Sequence, residues 1–495
     1  MTSATIVLAI TALVVATFTV VGVWTLRGGV SGIEEFISAR NSAGAGTLTA
    51  TVIASSMGAW ILLSPAEAGA AYGGISAILG YAFGSALPLV TFAVIGPRIR
   101  SLIPQGHSLT EYTYARFGPV MYGYVLLVSV GYMFAFLAAE MTGITLALSM
   151  IGGVPMWQTS VIIGVFVLVY TTYGGLRASI ATDTIQALVI LPLLAVTFVF
   201  SLRALGGTGA IYETVVAQQP ELLDLTFGMG LESGIYLTVA VMGAEMLNQA
   251  WWQRLYAARD SETLRRSFAV AAVAVVPMIF VAGLFGLAAQ GLGLVENDPS
   301  IAFFLVVDEV FSEPVVLAIV VLAVLLVMSS ADTLFNAISS VVTVDLPRLA
   351  ELDDDSLTMG ARALTVIVAL AVIVIGAQGY SVLTIFFVAD LLAVATFIPL
   401  IAGLYTSRLS GIGAFVGAFV SLLVGTAVFP ISRPLLTPIA GSLPPATYFN
   451  AFVWTAIVST VLTLLAIAVG DESAVLSELD DSIDRLDATQ GGDSQ

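Results

Sequence analysis

The 495-residue chain contains no cysteine, no lysine and only one histidine, His107. Disulfides, thiolate metal sites and histidine-based metal clusters are therefore excluded, and the residues predict no transition-metal site. No nucleotide-binding motif or catalytic combination of side chains is present, which argues against an enzyme. All 16 basic residues are arginine and the net charge is −17, so no basic surface for nucleic acid is expected. An acidic surface without lysine favours a halophilic source, with the bias of a GC-rich genome as the alternative.

Apolar residues dominate what is present. They make up 58% of the chain, charged residues make up 10%, and the mean hydropathy is +1.02. Such a composition predicts an all-α polytopic membrane protein with no room for a sizeable soluble domain. The first apolar stretch has no basic segment or cleavage site and is interpreted as a retained helix. Thirteen membrane spans are predicted, near residues 4–26, 46–73, 76–102, 117–152, 155–174, 177–205, 231–256, 264–292, 314–345, 358–378, 380–407, 410–430 and 448–470.

The arginines predict the orientation of these spans. An odd number of spans puts the two termini on opposite sides of the membrane. With the N-terminus outside, every arginine except Arg203 and Arg433 falls on the inside. This positive-inside bias predicts a multi-pass protein of the cell (plasma) membrane with a cytoplasmic, acidic tail at 471–495.

One predicted span carries a stripe of polar oxygen atoms. Ser329, Asp332, Thr333 and Asn336 follow each other at i, i+3, i+4 and i+7, so they share one helical face, with Ser330 beside it. An ionisable group inside the membrane needs a partner or a function. Hydroxyl and carboxylate oxygens suit a hard cation, and we therefore predict an ion site here. Helix–helix packing is an alternative role for the serines, although it leaves the aspartate unexplained.

Two other spans are interrupted by residues that do not suit a continuous helix. The stretch 46–73 contains Gly58 and Pro65 among serines, which predicts a discontinuous helix whose free carbonyls line a cavity. The stretch 231–256 is interrupted by polar and aromatic residues at the corresponding place of a second half. Interruptions in corresponding spans of two halves favour a secondary transporter with its site at the repeat interface.

A glycine pair separates two further predicted spans. Gly174 and Gly175 are expected to end one helix and to start the next, with Asp183 two turns further on. Asp183 lies near a helix N-terminus, which favours a negative charge. The alternative role for Asp183 is a salt bridge with Arg177.

Several stretches together carry a resemblance to one known family. They are Tyr173-Gly174-Gly175-Leu176-Arg177-Ala178 with Thr182-Asp183 and Gln186, the connector Glu34-Glu35-Phe36 that ends in Ala39-Arg40, the stretch from Phe397 to Gly403 with Gly413-Ala414, and Ser329-Ser330-Ala331-Asp332. These stretches resemble the sodium:solute symporter family, especially members similar to sodium/proline symporters. The resemblance covers roughly residues 30–430.

The resemblance implies a LeuT-type core of five plus five helices in inverted repeats. That core would span 45–407, with one repeat at about 45–206 and the other at about 231–407. An extra N-terminal helix within 1–30 would precede it. Two C-terminal helices at 408–470 would follow, before the tail.

The resemblance also implies where coupling ions bind. A sodium ion would lie where the broken span meets the span 314–345, held by three backbone carbonyls and two hydroxyls: Ala54, Met57, Leu326, Ser329 and Ser330. A second cation would lie near Asp183, Asp332 and Thr333, as in some members. Because Asp332 stands where some relatives have serine, this second site is left open to sodium or a proton.

For the solute, the resemblance points to Trp60 in the broken span and Tyr132 in the span 117–152. Gln249, Trp251 and Trp252 are expected to face the same cavity. Aromatic faces suit a small zwitterion, an amide or a quaternary amine, although membrane aromatics also serve as interface anchors. Four further intramembrane carboxylates have no assigned role and could favour a cationic solute or simply water-filled vestibules: Glu67, Glu140, Glu245 and Asp390.

Taken together, we expect sodium-coupled import of a small organic solute by alternating access, with an amino acid such as proline favoured. The alternatives are a urea or choline-like amine transporter, and a proton-coupled carrier that uses Asp183 and Asp332. A ligand sensor is a further alternative, but the short tail after Gly470 supplies no output domain. No cofactor besides the coupling ion and no obligate protein partner is indicated.

Overall fold

The computed structural model describes residues 3–25, 39–295, 298–349, 354–436, 441, 443–471 and 476–482. Over these residues the chain is built from helices and short connections, with one isolated parallel bridge between Ala43 and Ala258. The α-helices are α1 Ala4–Thr25, α2 Ala45–Ser55, α3 Ser64–Ala71, α4 Ile75–Leu102, α5 Leu109–Phe117, α6 Pro119–Gly152, α7 Met156–Ala204, α8 Gly207–Gln218, α9 Gly228–Met246, α10 Gln249–Ala257, α11 Ser261–Gly291, α12 Ala302–Val310, α13 Glu313–Leu349, α14 Asp354–Gly376, α15 Val382–Gly403, α16 Gly411–Val428 and α17 Tyr448–Val469.

Nine of the described helices are long and apolar enough to cross a membrane, and a bent helix pair brings the number to ten. The all-α, multi-pass architecture predicted from the apolar runs is therefore confirmed. The expected span 231–256 is built as two helices, α9 and α10. The connector at 26–38, which includes the Glu34-Glu35-Phe36 stretch, lies outside the described residues.

The expected helix break at the glycine pair is not present. Helix α7 runs over 49 residues from Met156 to Ala204 without interruption, and so includes both predicted spans 155–174 and 177–205. Glycine in a helix interior costs about 1 kcal/mol, but it keeps its N–H group and does not stop the hydrogen-bonding pattern. The side chains of 166–179 lie outside the description, and with them the alternative ion pair of Arg177.

The predicted break in the span 46–73 is confirmed. Helix α2 ends at Ser55, and the segment Ala59–Ala71 continues at an angle of 58°. That segment begins with a 3₁₀ turn, Ala59–Leu62, before α3. A Cβ atom added at Gly58 would lie 1.8 Å from the Glu140 carboxylate, so only glycine fits at the break.

The span in the second half is broken as well. Helix α9 ends at Met246, and α10 begins at Gln249 with Asn248 as its N-cap, because the Asn248 side chain accepts a hydrogen bond from the Ala250 N–H at 3.1 Å. Polar side chains at an N-cap satisfy amide groups that a helix start leaves free. Both interrupted spans predicted from the sequence are therefore discontinuous helices.

Small residues bring the helices around these breaks close together. On α4, a Cβ atom at Gly80 would lie 2.1 Å from the Gly234 carbonyl oxygen of α9. On α9, a Cβ atom at Gly243 would lie 2.5 Å from the Val394 side chain of α15. Helices in lipid depend on such close approach because apolar burial does not drive their association. This packing fixes α4 and α15 against α9, the first half of the second broken span.

Candidate functional site

A cavity of about 520 Å³, including the part open to solvent, lies between the two helix breaks. Six elements contribute side chains to it: the first break, α4, α6, the second break, α11 and α15. Its lining includes Ser56, Trp60, Tyr81, Ser85, Tyr132, Phe136, Glu245, Trp251, Phe386 and Asp390. Broken helices leave backbone groups free at mid-membrane depth, which is where transporters of this architecture bind their solutes.

Aromatic rings form much of the wall. The Trp60 ring lies 5.7 Å from Tyr81 and 6.3 Å from Phe386, measured between ring centroids, with the latter pair edge to face. The Nε1 atom of Trp60 is buried and has no hydrogen-bond partner among the described residues, and the buried hydroxyl of Tyr132 faces the Glu245 carboxylate without a bond of ordinary geometry. Buried donors normally find a partner. Two unused donors at one cavity are therefore candidates for bonds to a bound molecule.

The first carboxylate of the cavity lies at the second break. Glu245 Oε2 accepts hydrogen bonds from Trp251 Nε1 at 2.5 Å and from Asn248 Nδ2 at 3.0 Å. A carboxylate at the C-terminal end of a helix, here α9, is unfavourable next to the negative end of the helix dipole. The two donors offset that cost and hold the carboxylate at the cavity wall.

The second carboxylate comes from α15. Asp390 is 3% exposed, and it makes no hydrogen bond or ion pair with another described residue. Burying a carboxylate without a partner is costly. None of the residues lining the cavity is basic, so the cavity carries two carboxylates without a compensating protein cation.

The five residues predicted to bind the solute separate into two groups. Trp60, Tyr132 and Trp251 line the cavity. Gln249 and Trp252 do not, which corrects their expected position. Successive residues of a helix point about 100° apart, and here Trp251 faces the cavity while Trp252 faces Tyr112 of α5.

Gln249 and Trp252 instead hold α10 against neighbouring elements. Gln249 Oε1 accepts a hydrogen bond from the Leu109 N–H at 2.9 Å, at the start of α5. The Trp252 ring stacks on Tyr112 of α5 with 5.6 Å between centroids and meets Phe92 of α4 edge to face. Both residues are therefore structural in this conformation.

The residues predicted to bind the first sodium ion are all buried at the contact between the first break and α13. This contact is close, since the hydroxyls of Ser55 and Thr333 are 3.5 Å apart. Ser329 donates its hydroxyl hydrogen to Asp183 Oδ1 at 2.8 Å, and Ser330 donates to the Leu326 carbonyl at 3.2 Å. A hydroxyl that donates its hydrogen still has lone pairs, so both serines remain able to bind a cation. The five predicted ligands are Ala54, Met57, Leu326, Ser329 and Ser330.

The second predicted cation position is next to a protein cation. The guanidinium of Arg254 on α10 bonds Asp183 Oδ2 through Nη2 at 2.8 Å, and both side chains are fully buried. Nη2 also donates to Thr333 Oγ1 at 3.2 Å. Asp183 Oδ2 accepts two further hydrogen bonds, from Thr51 at 2.9 Å and from Ser55 at 3.0 Å.

Asp332, the other carboxylate of that predicted site, lies close to Thr182, whose Oγ1 is 3.4 Å from Asp332 Oδ2. The side chain of Asn336, the last member of the polar stripe, lies outside the description. A second coupling cation at Asp183 would therefore have to share this carboxylate with Arg254. That is a constraint which the polar pattern alone did not show.

The sequence pattern does not single out two buried residues of the candidate site. In the pattern Arg254 is only one of the inside arginines, and Glu140 has no predicted role. Arg254 falls inside the predicted span 231–256, and an arginine within a span is a functional candidate by default. That signal alone would have singled it out.

The comparisons with known proteins agree with this architecture. A family model described as SSF: Sodium:solute symporter family matches residues 36–421. The chain belongs to the sodium:solute symporter family. It is accordingly a multi-pass membrane transporter rather than an enzyme, and membership implies a small solute and a coupling ion.

Curated relatives with different solutes are similar to this chain. The spermidine transporter DUR31 of Candida albicans is 25% identical over 88% of this chain and 84% of that protein. The probable urea active transporter 1 of Schizosaccharomyces pombe is 26% identical over 63% of this chain and 51% of that protein. The sodium/pantothenate symporter of Escherichia coli is 26% identical over 51% of this chain and 53% of that protein.

Solved structures show the same fold. A Na⁺-coupled sialic acid symporter in a substrate-bound outward-open state has a TM-score of 0.74 at 17% identity, covering 94% of this chain and 98% of that one. Mhp1, a nucleobase-cation-symport-1 family transporter, has a TM-score of 0.59 at 15% identity, covering 92% and 99%. These likenesses confirm the LeuT-type fold that the family resemblance implied.

Proposed function

We propose that this protein imports a small organic cation, an amine in particular, by sodium-coupled alternating access. The observation that carries the proposal is the aromatic cavity between the two helix breaks, which contains Glu245 and Asp390 and no basic side chain. A cation would compensate both carboxylates. Aromatic faces add cation–π attraction of about 0.5–2 kcal/mol per contact.

The same observation argues against proline, the solute favoured by the sequence. A zwitterion brings its own carboxylate, and no residue lining this cavity would offer that group a positive partner. A cationic amine needs no such partner. The similarity to a protein described as a spermidine transporter supports this preference.

Urea is the second candidate solute. The unused donors, Trp60 Nε1 and the Tyr132 hydroxyl, suit a carbonyl oxygen, while Glu245 and Asp390 could accept from the amide N–H groups. The similarity to a protein described as a probable urea active transporter supports urea as a candidate solute. Direct competition between urea and an amine for uptake distinguishes the two candidate solutes.

For the coupling ion we propose one sodium ion, bound by Ala54, Met57, Leu326, Ser329 and Ser330. The five oxygens they offer suit a hard monovalent cation. A second sodium ion is not part of the proposal, because the Arg254 guanidinium already compensates Asp183. Import is the direction driven by an inward sodium gradient and by the membrane potential, which contributes about 2.3 kcal/mol per charge at 100 mV.

We place the N-terminus outside and the C-terminal tail in the cytoplasm, in the plasma membrane. The arginine distribution over the thirteen predicted spans supports this orientation, which requires the two predicted spans that α7 joins to cross the membrane separately. On the side assigned to the cytoplasm, Asp480 of the tail accepts a hydrogen bond from the Gln105 N–H at 2.9 Å, which joins the tail to the connection before α5.

The proposal is tested by uptake into proteoliposomes. Labelled spermidine, choline, urea and proline are offered in turn, with an inward sodium gradient and with potassium in its place. We expect sodium-driven accumulation of an amine that unlabelled proline does not inhibit. Sodium-driven proline uptake that amines leave unchanged would contradict the proposed solute class, and uptake equal in potassium would contradict sodium coupling.

A further inference from the structure

A third carboxylate, Glu140 of α6, lies directly against the first helix break. Its side chain is completely buried. Oε2 accepts a hydrogen bond from the Ala59 N–H at 2.7 Å. Oε1 lies so close to Gly58 that a Cβ atom on this residue would clash with it. The carboxylate therefore faces the start of the 3₁₀ turn that carries Trp60.

The other oxygen of this carboxylate has no partner at hydrogen-bond distance. Oε1 of Glu140 is buried, and no donor or basic side chain of the described residues bonds it, although the Ser330 side chain and the Trp60 amide lie near the carboxylate. Glu67, a buried carboxylate on α3, contrasts with it, because the Ser381 hydroxyl lies 2.8 Å and 3.0 Å from its two oxygens. Asp183 differs again, since it is paired with Arg254. Glu140 is a buried acid at the break whose second oxygen is left unused.

The surroundings of Glu140 include a residue of the sodium site. The Ser330 side chain of α13 faces the Glu140 carboxylate, as does the backbone amide of Trp60. Met57, another proposed ligand, is two residues from Ala59 in the same break. Glu140 thus borders the space between the break and α13, where the proposed sodium ion would lie.

The five ligands proposed so far are all neutral: three carbonyls and two hydroxyls. A cation enclosed by neutral oxygens inside a membrane protein keeps an uncompensated charge, which is costly at low dielectric. Hard cations are commonly held by carboxylate oxygens together with carbonyls. The unused Oε1 of Glu140 would supply this missing negative charge.

We propose that Glu140 is an anionic ligand of the coupling-cation site and binds sodium through Oε1. The proposal rests on the sodium coupling proposed above and adds a sixth, charged ligand from a third helix. It also gives a link to the solute, since Glu140 holds the amide of Ala59, whose neighbour Trp60 lines the cavity. Sodium binding would then fix the segment that presents Trp60 to the solute.

The test measures sodium binding directly, apart from transport. Purified protein is titrated with radioactive sodium, and the sodium-dependent rise in melting temperature is recorded in parallel. We expect Glu140→Gln to weaken sodium binding at least tenfold, since the amide keeps a neutral oxygen but loses the charge. Glu140→Asp, which keeps the charge on a shorter side chain, should bind sodium with an affinity between those of the wild type and Glu140→Gln.

Glu67→Gln is the matched control, because it neutralises a buried carboxylate of the same region that already has a partner. It should bind sodium as the wild type does. Wild-type sodium affinity in Glu140→Gln, or equal losses in Glu67→Gln and Glu140→Gln, would overturn the proposal while leaving sodium coupling intact. Absence of sodium binding in the wild type would overturn both.

Discussion

Replacing Arg254 by alanine tests the most unexpected contact of the site. The guanidinium is fully buried against Asp183. Removing one partner of a buried ion pair costs about 3–5 kcal/mol, because the other charge is left uncompensated. Three hydroxyls, those of Thr51, Ser55 and Ser329, would still donate to Asp183. We therefore expect a loss near the lower end, about 3 kcal/mol, seen as a lower melting temperature in sodium-free buffer.

The same variant should gain a sodium ion. Without Arg254, the space beside Asp183 contains a carboxylate and hydroxyls, which is the second cation site that the family resemblance implied. Binding at about 100 times the Kd restores about 2.7 kcal/mol, so sodium should recover most of the lost stability. The sodium-to-solute ratio, measured from reversal potentials in proteoliposomes, should rise from one to two.

Two controls make this prediction specific. Arg254→Lys keeps a cation beside Asp183 and should keep a ratio of one. Adding Asp183→Asn to Arg254→Ala removes the carboxylate and should abolish the extra stabilisation by sodium. If Arg254→Ala keeps the wild-type sodium-to-solute ratio and the wild-type dependence of melting temperature on sodium, the guanidinium does not occupy the place of a second cation.

Two further predictions concern single side chains. In an equilibrium binding assay, Trp60→Ala should weaken solute binding by about 0.5–2 kcal/mol, because the solute loses an aromatic face on which it stacks. Sodium binding in the absence of solute should stay largely intact. Trp252→Phe, which lies away from the cavity, should keep the wild-type solute affinity. Ser330→Ala should raise the sodium concentration for half-maximal uptake, because it removes a ligand oxygen. Ala54→Gly keeps its carbonyl and should change that concentration much less. Equal effects of the two substitutions would show that the Ser330 hydroxyl does not bind sodium.

The parts of the fold that local sequence determines were predictable. Gly58 and Pro65 interrupt an apolar run. Only glycine fits beside the Glu140 carboxylate at the helix break, so the position of the break is visible in the sequence itself. The same kind of signal misled at Gly174 and Gly175, because glycine lowers helix stability without removing a hydrogen-bond donor. Local patterns therefore indicate where a helix can break but do not require it.

The partners inside the site depend on contacts between distant parts of the chain. Asp183 and Arg254 are 71 residues apart, and Glu140 meets Ala59 across 81 residues. No spacing rule connects such positions. Likewise, whether Trp251 or Trp252 faces the cavity depends on where α10 begins and on how it packs against Tyr112. The residue types of the site could be read from the sequence, whereas their pairing could not.

In the proposed function Glu245 and Asp390 select a cationic solute, and equilibrium binding of a labelled amine in the presence of sodium measures this selection. Asp390→Asn keeps the size of the side chain and removes its charge. This variant should bind the amine at least tenfold more weakly than the wild type, with unchanged sodium affinity. Glu67→Gln should bind the amine as the wild type does. Wild-type amine affinity in Asp390→Asn and in Glu245→Gln would show that these carboxylates do not select the solute.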